Sequence, residues 1–204
     1  MKKNIICPCG TSIQMEYEEE VDIDNRKDSL ENIFNGTFMS YNCSFCGKKH
    51  KPEFKISLVW KSKNYKLEVY PELERGEFYR NKKENSSFET VISFPEMADR
   101  LSVINDDLEP VVIETLKSFL LAKAAENYPD NDINVWYHNK GSNGIEFHLD
   151  GIRPDEVAVM RIPMDMYEKT LDDYRKRPKN DIFTSLRVRS YLSVQNILRP
   201  DVLK

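Results

Sequence analysis

The sequence predicts an α+β protein: an N-terminal lobe of β-hairpins, then an α+β lobe with one long helix and a small antiparallel sheet. Three observations carry this: two close cysteine pairs joined to strand-like segments, two alternating stretches each bent around a short polar turn, and one long apolar stripe at helical spacing. The 204 residues suffice for one large domain or two small ones with a real core. At 40% hydrophobic and 31% charged, with 7 Gly and 10 Pro, the composition is globular rather than disordered or collagen-like. Four cysteines are too few for a disulfide-stapled scaffold. No apolar run reaches the roughly 18 residues of a membrane span, and the segment after Met1 turns polar too early for a signal peptide. A cytoplasmic protein without membrane association is expected.

The elements follow in order. Ile13, Met15 and Tyr17 alternate in a strand over 12–17, and the acidic run from Glu16 to Asp24 reads as a solvated loop or strand end. Residues 28–34 read as a short helix, with Asp28 or Ser29 as N-cap and Gly36 as the stop. Phe54, Ile56, Leu58 and Trp60, then Tyr65, Leu67 and Val69, flank the turn at 61–64 and predict a β-hairpin. Residues 74–90 read as a linker or exposed loop between lobes at 1–73 and 91–204. A long helix follows, N-capped by Asp106 or Asp107, with Pro110 in its first turn and Val112, Ile113, Leu116, Phe119, Leu120 and Ala124 in its stripe. Segments 133–138 and 145–150 form a second hairpin around Gly141–Gly144, and 157–162 a third strand. Asp165 and Glu168 suggest a capping-box start for a helix ended by Pro178. The tail 182–198 is apolar-periodic and ambiguous between strand and helix.

The net charge of −4 hides an uneven distribution. Residues 1–73 carry 11 basic and 11 acidic side chains, 74–160 carry 9 and 17, and 161–204 carry 10 and 6. The whole chain is therefore no polyanion binder, although a local basic face remains open.

Cys7-Pro8-Cys9-Gly10 and Cys43-Ser44-Phe45-Cys46-Gly47 supply four thiols in two close pairs. A tetrahedral Zn2+ takes four such ligands, and Gly47 after the second pair lets the backbone turn toward the sulfurs, while the one-residue spacer of the first pair gives a narrower bite. Cys7, Cys9, Cys43 and Cys46 are the expected ligands of a structural zinc, with His50 as a possible substitute. Two alternatives stand beside this: redox chemistry at Cys43 and Cys46, and four ordinary buried thiols. A zinc closed by four thiolates has no position for water and performs no hydrolysis. Lys48, Lys49 and Lys51 would offset its net negative charge.

The Cys-Pro-Cys-Gly element, the helix leading into Gly36-Thr37-Phe38, the second cysteine knuckle and the following hairpin together resemble the CpXC domain proteins of bacteria and archaea. The resemblance covers about residues 4–128. The family's two Cys-Pro-x-Cys motifs are altered: the first is shortened to Cys7-Pro8-Cys9, and Ser44 stands where the second has proline. It implies a zinc-ribbon-like N-terminal lobe and no established activity.

Three functions are consistent with this reading. The first is a non-enzymatic module that recognises a protein partner. The second is nucleic-acid association through Lys55, Lys61, Lys63 and Lys66, interleaved with Trp60 and Tyr65; the plainer alternative is a hairpin kept soluble by its lysines. The third is an enzyme centred on His138, Glu146 and His148, which alternation places with Trp136 on the outer face of the second hairpin; such a face is more often only polar. The basic group Arg175, Lys176, Arg177 and Lys179 complements a helix C-terminus.

Overall fold

The computed structural model describes residues 1–81 and 86–198. It is an α+β fold in which several small sheets are built around antiparallel hairpins. The chain divides into two compact units, Met1–Ala98 and Asp99–Lys204.

In the first unit, β1 (Lys2–Ile6) pairs antiparallel with β2 (Ser12–Glu16). The acidic run is not all loop, because Glu20–Asp22 forms β3, with Val21 buried and its neighbours turned outward. Helix α1 (Lys27–Phe34) begins after Arg26 without a side-chain cap, since Asp22 turns the chain earlier by accepting from the backbone of Asp24 at 3.1 Å. It ends at Asn35 and Gly36, whose φ of +69° is the left-handed stop a glycine permits. The short β4 (Tyr41–Asn42) and β5 (Lys49–His50) pair antiparallel.

Strands β6 (Ile56–Trp60) and β7 (Tyr65–Tyr70) form the expected hairpin, its turn a 3-10 segment closed by Asn64 at φ +48°. The alternation is realised: Phe54, Ile56, Leu58 and Trp60 are all buried. The stretch expected as a linker instead contains α2 (Arg75–Arg80), with Arg75, Phe78 and Tyr79 buried, and runs into β8 (Glu89–Ile92). Residues 82–85 of that stretch, and 199–204 of the expected C-terminal lobe, lie outside the described residues. The strands run in the order β8-β7-β6-β3, with β8 parallel to β7 and β3 parallel to β6. Helix α3 (Phe94–Asn105), which the sequence reading did not anticipate, follows directly. Glu53 braces this region: its two oxygens accept the backbone N–H groups of Glu72 and Phe94, each at 2.7 Å.

The second unit is organised by α4 (Pro110–Asn127). Its N-cap is Glu109 rather than Asp106 or Asp107; Asp106 instead accepts the Tyr137 hydroxyl, and Asp107 sits at φ +54°. Pro110 occupies the first turn as expected. The helix is buried on more than one side, since every residue from Val111 to Lys117 is buried, while Phe119 of the expected stripe reaches solvent. β9 (Asn134–Gly141), β10 (Gly144–Asp150) and β11 (Ala158–Ile162) form an antiparallel meander. Val135, Tyr137, Ile145, Phe147 and Leu149 point inward and join α4 in one core. Helix α5 (Met164–Lys176) starts from Pro163 with no capping box, because β11 leads almost directly into it. The ambiguous tail is mixed: α6 (Asp181–Thr184), β12 (Arg187–Val188), β13 (Tyr191–Leu192) and α7 (Gln195–Leu198).

A buried ionic cluster sits inside this unit. Lys117 Nζ donates to Asp99 and, at 2.8 Å, to Glu114; Arg100 reaches Glu114 at 3.3 Å and the carbonyl of Leu192 at 2.9 Å. The remaining oxygens accept backbone N–H groups, Asp99 from Tyr137 at 2.6 Å and Glu114 from Val194 at 2.8 Å. Burial pushes Asp99 above its ordinary range despite Lys117. Glu114 is pushed up by burial too, but the charges of Lys117 and Arg100 bring it below its usual value. Among the described residues no helix is long and apolar enough to cross a membrane.

Candidate metal centre

Each cysteine pair lies where a short hairpin turns. Between β1 and β2, the N–H of Cys7 donates to Thr11 O at 2.9 Å and that of Gly10 to Cys7 O at 2.8 Å. Between β4 and β5, Cys43 donates to Lys48 O and Gly47 to Cys43 O, both at 2.9 Å. Gly10 at φ +89° and Gly47 at φ +72° take left-handed conformations that a side chain would strain. The shortened first motif therefore removes one residue from its turn and keeps the glycine that ends it. The Tyr41 hydroxyl donates to Glu16 O at 2.8 Å, tying one hairpin to the other.

The sulfurs of the two knuckles interleave. Cys7 Sγ lies 3.6 Å from Cys46 Sγ, and Cys9 Sγ lies 3.6 Å from Cys43 Sγ. All four lie within 4.8 Å of one another. Four sulfurs bonded at about 2.3 Å to a tetrahedral ion stand about 3.8 Å apart, so this cluster is already close to that shape. None is disulfide-bonded. Cys7 and Cys43 are buried, Cys9 and Cys46 exposed.

Their electrostatics are unequal. The Thr11 hydroxyl, 3.3 Å from Cys9, favours its thiolate and brings Cys9 down to about 6. The backbone N–H groups of Cys46 and Phe45 lower Cys43. Cys7 also gains from the Cys9 N–H, but burial and three neighbouring sulfurs push it up to about 12. Thiolates this close repel one another, and a cation among them would relieve the repulsion. The cluster can hold a metal ion. His50 Nε2 lies 3.3 Å from Cys7 Sγ, but His50 is not in the group whose donors all converge.

The lysines of the β6–β7 hairpin have internal partners. Lys61 pairs with Asp22 at 2.6 Å and Lys66 with Glu20 at 3.6 Å. Lys55 donates to the Tyr70 hydroxyl at 2.7 Å, and Lys63 lies 5.9 Å from the centre of the Trp60 ring. On the other unit's sheet, His138, Glu146 and His148 do come together, their donor atoms within 4.8 Å of one another.

Several contributors escaped the sequence reading. Thr11 directly follows the glycine of the first knuckle, a place where its hydroxyl can reach back to sulfur. Phe45, in the spacer of the second pair, is 80% exposed, and Ile6, just before Cys7, is 70% exposed. Both are large apolar residues one position from a cysteine.

Fold and site thus define a small α+β protein carrying a four-cysteine cluster able to hold a metal ion. The chain belongs to the CpXC family: the model described as CpXC protein matches residues 5–117. A protein of Treponema pallidum (strain Nichols), described as uncharacterized, is 30% identical over 213 residues, covering 94% of this chain and 96% of its own. No solved structure matches.

Proposed function

We propose that this is a non-enzymatic zinc protein whose metal fixes the two cysteine knuckles so that the surface beside them can receive a protein partner. The observation that carries the reading is the interleaved sulfur cluster, with 3.6 Å edges near those of a tetrahedral tetrathiolate site. Four thiolates fill the coordination shell, so the ion serves structure rather than hydrolysis. It would hold a zinc-ribbon-like lobe over residues 1–73, and the thiols require a reducing compartment such as the cytoplasm. The partner surface is supported by Phe45 and Ile6, which stay exposed beside the knuckles although burial would stabilise them. The nucleic-acid reading has less support, because the carboxylates of Asp22 and Glu20 offset Lys61 and Lys66.

Elemental analysis of chelator-free protein should give one tightly held zinc, and Cys43→Ser should release it and unfold the first unit. Iron at that position refutes the zinc assignment, and a Cys43→Ser protein that keeps both metal and fold refutes the site. Phe45→Ser should keep the zinc and lose any protein that co-purifies from the native host. Unchanged co-purification refutes the partner surface.

A further inference from the structure

The outer face of the β9–β10–β11 sheet carries a second constellation, independent of the cysteines. Glu146 Oε1 lies 3.4 Å from His148 Nε2 and 3.8 Å from His138 Nε2. Both rings thus hold Nε2 near the same carboxylate oxygen; they stack at 3.8 Å between centroids with 17° between planes, so at least one must pivot out of the stack for both nitrogens to meet a single ion. The other oxygen, Oε2, accepts from Arg161 on β11 at 2.7 Å, which turns Oε1 toward the histidines.

The backbone explains how three donors meet on a flat sheet. Glu146 and His148 are two apart on β10 and share a face. On β9 the register jumps: Asn139 pairs with Glu146 and Tyr137 with Phe147, leaving His138 as an extra residue. This bulge keeps Tyr137 in the core and crowds His138 against Glu146 on the outside. Bulges of this kind re-aim a side chain at a local loss of ladder pairing.

We propose that His138, Glu146 and His148 form an open, three-donor site for a divalent transition-metal ion, separate from the tetrathiolate centre. Two imidazole nitrogens and one carboxylate oxygen suit zinc, nickel or copper and not magnesium or calcium. Bonds of about 2.0–2.1 Å to a tetrahedral ion set donors about 3.4 Å apart, close to the two observed distances. The side chains are 47%, 16% and 31% exposed, so an ion would enter directly and keep at least one position for water or a small ligand. The cysteine centre, in contrast, would be closed. The only other histidine, His50, lies against Cys7, so imidazole ligation can be assigned without ambiguity.

The test uses the tag-free full chain. Equilibrium dialysis against Zn2+ should yield two equivalents per chain, the second weaker and exchangeable. His138→Ala/His148→Ala should retain one, and Glu146→Gln should weaken the second by at least about tenfold. Because both histidines reach solvent on the outer face, the double variant should melt with the wild type. As a measurement that needs no variant, Co2+ added to protein with its cysteines already filled by zinc should give visible d–d bands without thiolate charge transfer. Wild type and double variant that bind the same number of equivalents, whatever that number is, overturn the proposal. The difference between the two does not depend on the cysteine centre, which Cys43→Ser tests alone.

Discussion

Replacing Lys117 by methionine removes the cation of the buried cluster while keeping the length of the side chain. Glu114 retains Arg100 at 3.3 Å, but among the described residues Asp99 retains only the Tyr137 N–H as hydrogen-bond donor and no paired cation. A carboxylate so buried takes up a proton instead of staying charged. Protonating Asp99 at pH 7 against its ordinary value of 3.8 spans about 3 pH units, and at 1.36 kcal/mol per unit this costs about 4 kcal/mol. Breaking a buried ion pair from one side typically costs about 3–5 kcal/mol, which agrees.

The sign of the pH dependence follows. The folded variant binds one more proton than the unfolded chain between pH 3.8 and the raised folded value, so its stability falls as pH rises there. Because Asp99 is already raised in the wild type, the deficit against it should be at most about 4 kcal/mol at pH 7 and should shrink as pH falls toward 5. Urea unfolding read from Trp136 fluorescence in a Trp60→Phe background measures this unit, since these are the two tryptophans. Adding Asp99→Asn should recover at least about 2 kcal/mol, because the amide oxygen still accepts from Tyr137 with no charge to neutralise. A deficit under about 1 kcal/mol, or one independent of pH, would refute the reasoning.

Gly151→Ala should destabilise the second unit by about 2 kcal/mol or more, because the residue sits at φ +85° and a Cβ would meet Asp132 O at 2.0 Å; an unchanged urea midpoint contradicts this. Glu53→Ala leaves the N–H groups of Glu72 and Phe94 without their acceptor and should cost about 2 kcal/mol in the first unit, with faster amide exchange at both positions. Protection unchanged at Phe94 would show that another acceptor takes over.

The hairpins and the long helix were legible because burial imposes a period. Phe54 to Trp60 and Ile145 to Leu149 alternate over enough residues that only one face can be apolar. The convergence of the cysteines was legible in the same local way, since each pair ends in a glycine. The buried charges were not. Glu114 and Lys117 look like ordinary surface residues of an amphipathic helix, and partners distant in sequence, Asp99 for Lys117 and Arg100 and Val194 for Glu114, account for their burial. Helix α2 fell in a polar, glycine-containing stretch whose helicity comes from tertiary contacts: Arg75 donates to the Ile92 carbonyl at 3.1 Å and pairs with Glu96 at 2.8 Å. Alternation put His138 and His148 on one face, but the bulge that brings them together depends on pairing between strands.

The interleaving of the knuckles has a consequence in chain entropy. Cys9 and Cys43 are 34 residues apart and Cys7 and Cys46 are 39 apart, so an ion gripping all four cross-links the ends of a long loop. Treated like a covalent link across about 34 residues, such a closure removes about 4 kcal/mol of disorder from the unfolded chain. Inside that loop lie three short strands and one eight-residue helix, segments too brief to persist in isolation. The ion would then do for residues 10–42 what a hydrophobic core does for the second unit: make folding of the whole segment one event.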